Sequence, residues 1–321
     1  MKETCSKKLK YLLGDFFGDL LLAFSVPTFR IVPPRTIVFV ARILGTIAFY
    51  LLEKYKDRVL GNLSLAFGGE KDFKEITRLA KEVFFNFTLT PFETIFTAAA
   101  PSGQFIKKIK ITGREYLDAA LAKGHGVIAL GSHLGAFTTL GTRLAVEGYP
   151  LNLIINEGKF PKVMGRLADY QRGVGQNPFP PKPITSSIKK SLNCLRRNEI
   201  LYLIADEQQI RGGLPVPFFG QTAYTPPGPA IFSLKTGAPI LPMFVVREKG
   251  IPQTLFIGSP IEMELTPDEK KNTELLTAKF TKVIEDIVRQ YPSQWSWLNR
   301  RWRLPRQIRL KGSLDTGNRG G

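Results

Sequence analysis

The feature of this chain that most restricts its fold is a regular alternation that sets in near residue 105. Short apolar runs rich in β-branched residues, GVIAL (126–130), LNLII (151–155), ILYLIA (200–205), PILPMFVV (239–246) and TLFIG (254–258), read as buried strands. Amphipathic stretches at 114–123, 135–147, 161–172, 184–197, 228–236 and 269–290 read as helices. A strand that is apolar throughout must be covered on both faces, and interleaved helices supply that cover. The pattern predicts an α/β fold with a mostly parallel central sheet flanked by helices, with no linker to divide it. The Gly- and Pro-rich stretches 173–183 and 211–229 are expected to be loops, where sites tend to be carried. Upstream, the stretch from 72 reads as helical as far as Leu89, with Pro91 marking a break before FETIFTAAA.

The first 60 residues are expected to form N-terminal membrane-associated helices. YLLGDFFGDLLLAF (11–24) is interrupted by Asp15 and Asp19, which lie four apart on one helical face, so it reads as amphipathic rather than spanning. TIVFVARILGTIAFYLL (36–52) is long enough for a short span but carries Arg42 near its middle. Interfacial insertion, spanning and packing on the protein's own core are all open for these segments. The chain has 45 Lys and Arg against 27 Asp and Glu, a formal charge of +18. Such a surface attracts anions: lipid headgroups, an acidic protein or nucleic acid. No recognised nucleic-acid motif accompanies the charge, so nucleic acid is not expected as a partner. Cys5 and Cys194 lie far apart with no metal-ligand spacing, and neither a disulfide framework, a metal nor a cofactor is expected.

His133, in the stretch LGSHLGAFTTLG, stands just past the strand GVIAL. In an open α/β sheet the carboxyl ends of the strands face the ligand crevice. A histidine there either acts as a general base on a substrate or only caps the helix that follows. Asp206 ends ILYLIA just as His133 ends GVIAL, so neighbouring parallel strands would bring the two to the same edge; the alternative is a turn cap. Glu207 would face the opposite side if the strand continued that far. His125, between two glycines, reads as turn surface.

Several segments carry a resemblance: NLSLAF (62–67), the strand with SHLG (126–135), IADEQ (204–208), GGLPVPFFGQTAYTPPGPAIFSLKTGAPILPMF (212–244) and SQWSWLNRRWR (293–303). Together they resemble the late acyltransferases of lipid A biosynthesis, within the lysophospholipid and glycerolipid acyltransferase superfamily. The resemblance implies a glycerolipid-acyltransferase-like domain over 61–310; residues 311–321 read as a disordered tail. The same resemblance implies a protein on the cytoplasmic face of the inner membrane. Such a protein moves a fatty acyl chain from acyl carrier protein or acyl-CoA onto a hydroxyl of a glycolipid such as a lipid A precursor.

The family's signature is a histidine, four residues, then Asp or Glu, the carboxylate orienting the base and stabilising its imidazolium. Here the histidine is His133, and the acid position holds Thr138, which can orient the ring but supplies no charge. Asp206 matches the family's Asp-Gln segment, here with Glu207 inserted before Gln208. The resemblance also assigns an acidic-group contact to Arg172, with Arg166 as the alternative; a solvated helix end is the other reading of each. Phe218, Phe219 and Gly220, with Thr225 to Gly228, are expected to shape the acceptor or oxyanion side, since Gly and Pro hold backbone close to a ligand. Asn299 stands where the family usually has His. The closing run WSWLNRRWRLPRQIRLK, aromatics alternating with arginines, suits a membrane interface or an acidic partner. A catalytically degenerate relative that binds membrane lipid without transfer is the alternative that Thr138 supports.

Overall fold

In the computed structural model, residues 14–16, 18–20, 22–25, 28, 32–99, 104–156, 158, 160–248 and 253–302 are described. Cys5 and the expected tail at 311–321 lie outside the described residues. Seven strands form the central sheet: β1 (Lys110–Thr112), β2 (Val127–Gly131), β3 (Leu151–Ile154), β4 (Gln176–Phe179), β5 (Ile200–Ile204), β8 (Ile240–Arg247) and β9 (Gln253–Ile257). Their spatial order is β1-β9-β8-β2-β5-β3-β4. All neighbours are parallel except β8 and β9, which are antiparallel. β2 and β8 are buried at every position, which explains why they read as unbroken apolar runs. The α/β architecture with a mostly parallel sheet is therefore the observed one.

Helices cover both faces. The chain order is α1 (Pro34–Leu51), α2 (Glu53–Phe67), α3 (Phe73–Ala99), α4 (Gln104–Lys107), α5 (Arg114–Leu121), α6 (Leu140–Val146), α7 (Pro161–Gly173), α8 (Ile184–Arg196), α9 (Gly228–Thr236) and α10 (Glu269–Gln290). One core, with Leu63, Phe84, Leu195, Phe280 and Ile284, joins α2, α3, α8 and α10 to the sheet. The other, with Ile106, Leu117, Leu140 and Leu144, joins α4, α5 and α6 to it.

Three sequence expectations need correction. β4 lies inside the 173–183 stretch expected to be loop, as an edge strand that tolerates Pro178. The 211–229 stretch holds an antiparallel hairpin, β6 (Leu214–Phe218) and β7 (Gln221–Thr225). Its two-residue turn, Phe219 and Gly220, has φ of 52° and 71°, the left-handed pair that tight hairpins require. Third, Pro91 does not break α3, which runs unbroken through it. Arg247 at the end of β8 ion-pairs with Glu93 and hydrogen-bonds Asn86 and Thr90, so the helix is pinned to the sheet on both sides of the proline.

α1 packs along α3 but leaves a broad apolar face uncovered. Ile37, Ala41, Gly45 and Phe49 face inward, whereas Phe39 (65% exposed), Ile43 (44%) and Ile47 (47%) face out. Arg42 is turned to α3, where it pairs with Glu82 at 2.8 Å and lies over the Phe85 ring. This is the one helix among the described residues that is long and apolar enough to cross a membrane.

Candidate active site

The register of the two central strands builds the site. Gly131 of β2 pairs with Ile204 of β5, so the residues two places beyond each strand, His133 and Asp206, emerge side by side at the carboxyl edge of the sheet. Asp206 Oδ1 lies 2.8 Å from His133 Nδ1, and Oδ2 accepts from the His133 backbone N–H at 2.7 Å. Trp295 Nε1 donates to the same Oδ2 at 2.7 Å. With three donors around a side chain only 1% exposed, the carboxylate is held as an anion. Burial opposes its charge, but the facing imidazole and these hydrogen bonds lower its pKa nonetheless.

The histidine's environment follows from this. Burial alone would favour neutral imidazole; the Asp206 charge and hydrogen bond, with Glu207 beyond, reverse that and push the pKa up to about 9. Because Nδ1 faces a carboxylate it carries a proton, which leaves Nε2 as the working nitrogen. Glu207 Oε1 lies 3.9 Å from Nε2, too far for a hydrogen bond. Glu207 therefore does not turn to the opposite face; β5 ends at Ile204, the alternation ends with it, and the side chain sits at the rim, held by Asn299 Nδ2 at 3.2 Å.

The loop carrying His133 is stitched on two sides. Gly135 N–H donates to Gln294 O, Ala136 N–H to Val245 O, and Ser296 N–H to His133 O. Gly135 has φ +61°, and a Cβ there would fall 2.0 Å from Val245 O, so only glycine fits. The closing run that read as interfacial is interior at its start: Trp295, Trp297 and Arg301 are 2%, 0% and 1% exposed. Arg301 binds Thr225 Oγ1 at 2.6 Å and the Glu207 carbonyl at 3.2 Å behind Asp206. Burial lowers its pKa to about 10, against the pull of Asp206. Trp295 and Arg301 are the site residues that sequence reasoning missed.

Two cavities meet at His133 and share Phe137, whose ring stands edge-on to the imidazole at 5.0 Å. The larger, about 500 Å³, runs between α6, α7 and the ends of β3 and β5, with Leu153, Ile154, Leu167, Leu203 and Ile204 among its walls. Thr97 Oγ1 and Gln171 Oε1, on its flank, are buried without hydrogen-bond partners. The smaller, about 140 Å³, lies toward α3 and is walled by Phe87, Pro91 and Trp295.

The other sequence-assigned residues are placed as follows. Thr138 lines the larger cavity, and its hydroxyl pairs with Thr94 Oγ1 at 2.8 Å rather than with His133. Arg166 binds Asp19 bidentately, and Asp15, four residues earlier, accepts from the Lys162 and Val163 amides at the start of α7. Arg172 pairs with Asp169 at 2.6 Å on the exposed last turn of α7. Phe218 and Phe219 are buried in an aromatic cluster with Phe67, Trp295 and Trp297. With Gly220 and Gly228 they stand outside the walls of both cavities at His133.

A buried carboxylate thus orients a histidine at the mouth of a largely apolar cavity. A family model described as bacterial lipid A biosynthesis acyltransferase matches residues 4–304, and the chain belongs to that family. The phosphatidylinositol mannoside acyltransferase of Mycobacterium tuberculosis is 28% identical over 199 residues, 60% of this chain and 59% of that protein. The protein of the same name from Mycolicibacterium smegmatis is 24% identical over 212 residues, 64% and 66% of the two chains. The lipid A biosynthesis palmitoleoyltransferase of Escherichia coli is 22% identical over 278 residues, 84% and 86% of the two. The match thus spans less than two thirds of the length of these mycobacterial relatives.

Proposed function

We propose that this chain is a membrane-associated O-acyltransferase that moves a fatty acyl group from an acyl thioester, carried by acyl carrier protein or coenzyme A, to a hydroxyl of a glycolipid. The observation that carries the reading is the His133–Asp206 pair opening onto an apolar cavity of about 500 Å³. His133 Nε2 takes the proton of the acceptor hydroxyl, and the oxygen attacks the thioester carbonyl. The carbon–sulfur bond then breaks, the imidazolium returns its proton to the departing thiolate, and an ester and a free thiol result. Asp206 fixes the ring and stabilises the imidazolium, the part that a carboxylate at position 138 would otherwise play. The apolar cavity suits the acyl chain. The names of the relatives support a phosphorylated glycolipid acceptor, of lipid A precursor or phosphatidylinositol mannoside type.

The exposed face of α1 and the net charge of +18 support attachment to an anionic membrane, read here as the cytoplasmic face of the inner membrane. The direct test is acyl transfer by membranes holding wild type, His133→Ala or Asp206→Asn, with thioester donors and a glycolipid extract, read by mass spectrometry. A labelled lipid that appears with wild type and is lost in both variants is the expected result. No labelled lipid with wild type, and lipid binding unchanged in the variants, would leave a lipid-binding relative without transfer activity.

A further inference from the structure

Of the strand residues that line the larger cavity, Gln176 lies deepest in the sheet, and with Gly141 and Thr142 it makes a polar wall there. Gln176 opens β4 and pairs with Leu151, three positions below the Ile154 pair at the carboxyl edge, so it lies about 10 Å down the sheet from that edge. Between edge and end the walls include Leu153, Ile154 and Tyr202. At the end, Gln176 and Thr142 are each 2% exposed, and Gln176 Nε2 donates to Thr142 Oγ1 at 2.9 Å. Gln176 Oε1 is buried with no partner. Above it stands Gly141, where an added Cβ would fall 2.3 Å from Gln176 Oε1 and 3.2 Å from Leu151 Cδ2.

We infer that Gly141, Thr142 and Gln176 form the stop of the acyl cavity and set the length of chain that the protein accepts. This rests on the acyltransferase reading above. An alkyl chain gains by leaving water for the apolar walls, about equally for each methylene. That gain ends at Gln176: a further methylene must displace a hydrogen-bonded pair and press against an amide oxygen that already lacks a partner. The missing side chain at Gly141 gives the Gln176 amide its seat. A methyl group there has to push the amide toward the chain, and a shorter residue at 176 deepens the cavity.

The two changes therefore act in opposite directions. Gly141→Ala is expected to move the preferred chain shorter by about two carbons, and Gln176→Ala longer by about as much. Two methylenes correspond to a change of about tenfold in the ratio of long to short product. The experiment gives the full-length protein a competing series of saturated acyl carrier protein thioesters graded in length and reads the acyl group on the lipid product. In parallel, the same fatty acids displace a fluorescent fatty acid from the protein, which needs no turnover and reports also on a variant with low activity. Opposite shifts in both assays are expected. A wild-type length preference in both variants, or a shift in the same direction in both, overturns the stop even where transfer is robust. Opposite shifts in displacement with no transfer by any form would sustain the stop and overturn the acyltransferase reading.

Discussion

Asp206 holds His133 at two points at once, its Oδ1 on the ring Nδ1 and its Oδ2 on the backbone amide of the same residue. One carboxylate therefore sets the loop, the ring orientation and the charge on the imidazole together. Neutralising the corresponding acid of a serine-protease triad lowers turnover by about 10⁴, and Asp206→Asn is expected to lower kcat by about 10³ to 10⁴. Thr138→Val, which breaks only the hydroxyl pair with Thr94, is expected to leave kcat within about threefold. Steady-state kinetics on both variants separates the two candidate partners of the histidine.

With its pKa pushed up to about 9, His133 is mostly protonated at neutral pH and cannot accept a proton in that form. kcat/KM reports the free protein, so it is expected to rise about tenfold per pH unit below a midpoint near 9 and to level above it. Glu207→Gln removes one of the charges that favour the imidazolium and is expected to move the midpoint down. A profile that falls between pH 7 and 9, or that ignores Glu207, would contradict this origin of the shift.

Arg166 spends its fork on Asp19. If its role is to fasten the segment that carries Asp15 and Asp19 to α7, then Arg166→Ala, Asp19→Ala and the double variant should all raise KM alike, with no added loss in the double. The pair sits at the surface, Arg166 exposed and Asp19 partly so, and the effect on thermal stability is expected to be small. Additive losses in KM would instead mark Arg166 as a substrate contact.

The face of α1 that carries Phe39, Ile43 and Ile47 touches no core. Replacing all three by Ser is expected to leave the melting temperature unchanged within a few degrees, because none of the three belongs to the core and little buried area is lost. Co-sedimentation with anionic vesicles should fall at least about tenfold, since apolar insertion is lost while the charge remains. Retention on vesicles at wild-type level would remove this helix from the attachment surface.

The alternation of strands and helices was legible because the central strands β2 and β5 are apolar throughout and most of the helices between strands carry a 3.6-residue apolar stripe. So was the pairing of His133 with Asp206, which needs only two adjacent parallel strands ending in step. β4 was not legible, because QNPF has one large apolar residue and a proline, and only its place at the sheet edge makes it a strand. The β6–β7 hairpin did leave a signal: Leu214, Val216 and Phe218 alternate ahead of a two-residue turn ending in glycine, a pattern outweighed by its prolines. Trp295 and Arg301 were out of reach. Composition marks them as aromatic and basic, but their burial comes from contacts with Asp206 and Thr225, 89 and 76 positions back along the chain. The same separation explains Phe218 and Phe219, which closeness in sequence to Gly220 placed at a ligand and packing placed in the core.

The backbone of residues 294–296 bonds to the His133 loop, and Trp295 supplies one of the three donors to Asp206. During synthesis the chain is made from its first residue onward, so the whole parallel sheet is available before these residues leave the ribosome. Until they arrive, Asp206 lacks its indole donor and the histidine loop lacks one of its two seams. The site is thus completed late, and until Trp295 docks the nascent chain carries a histidine not yet locked in place.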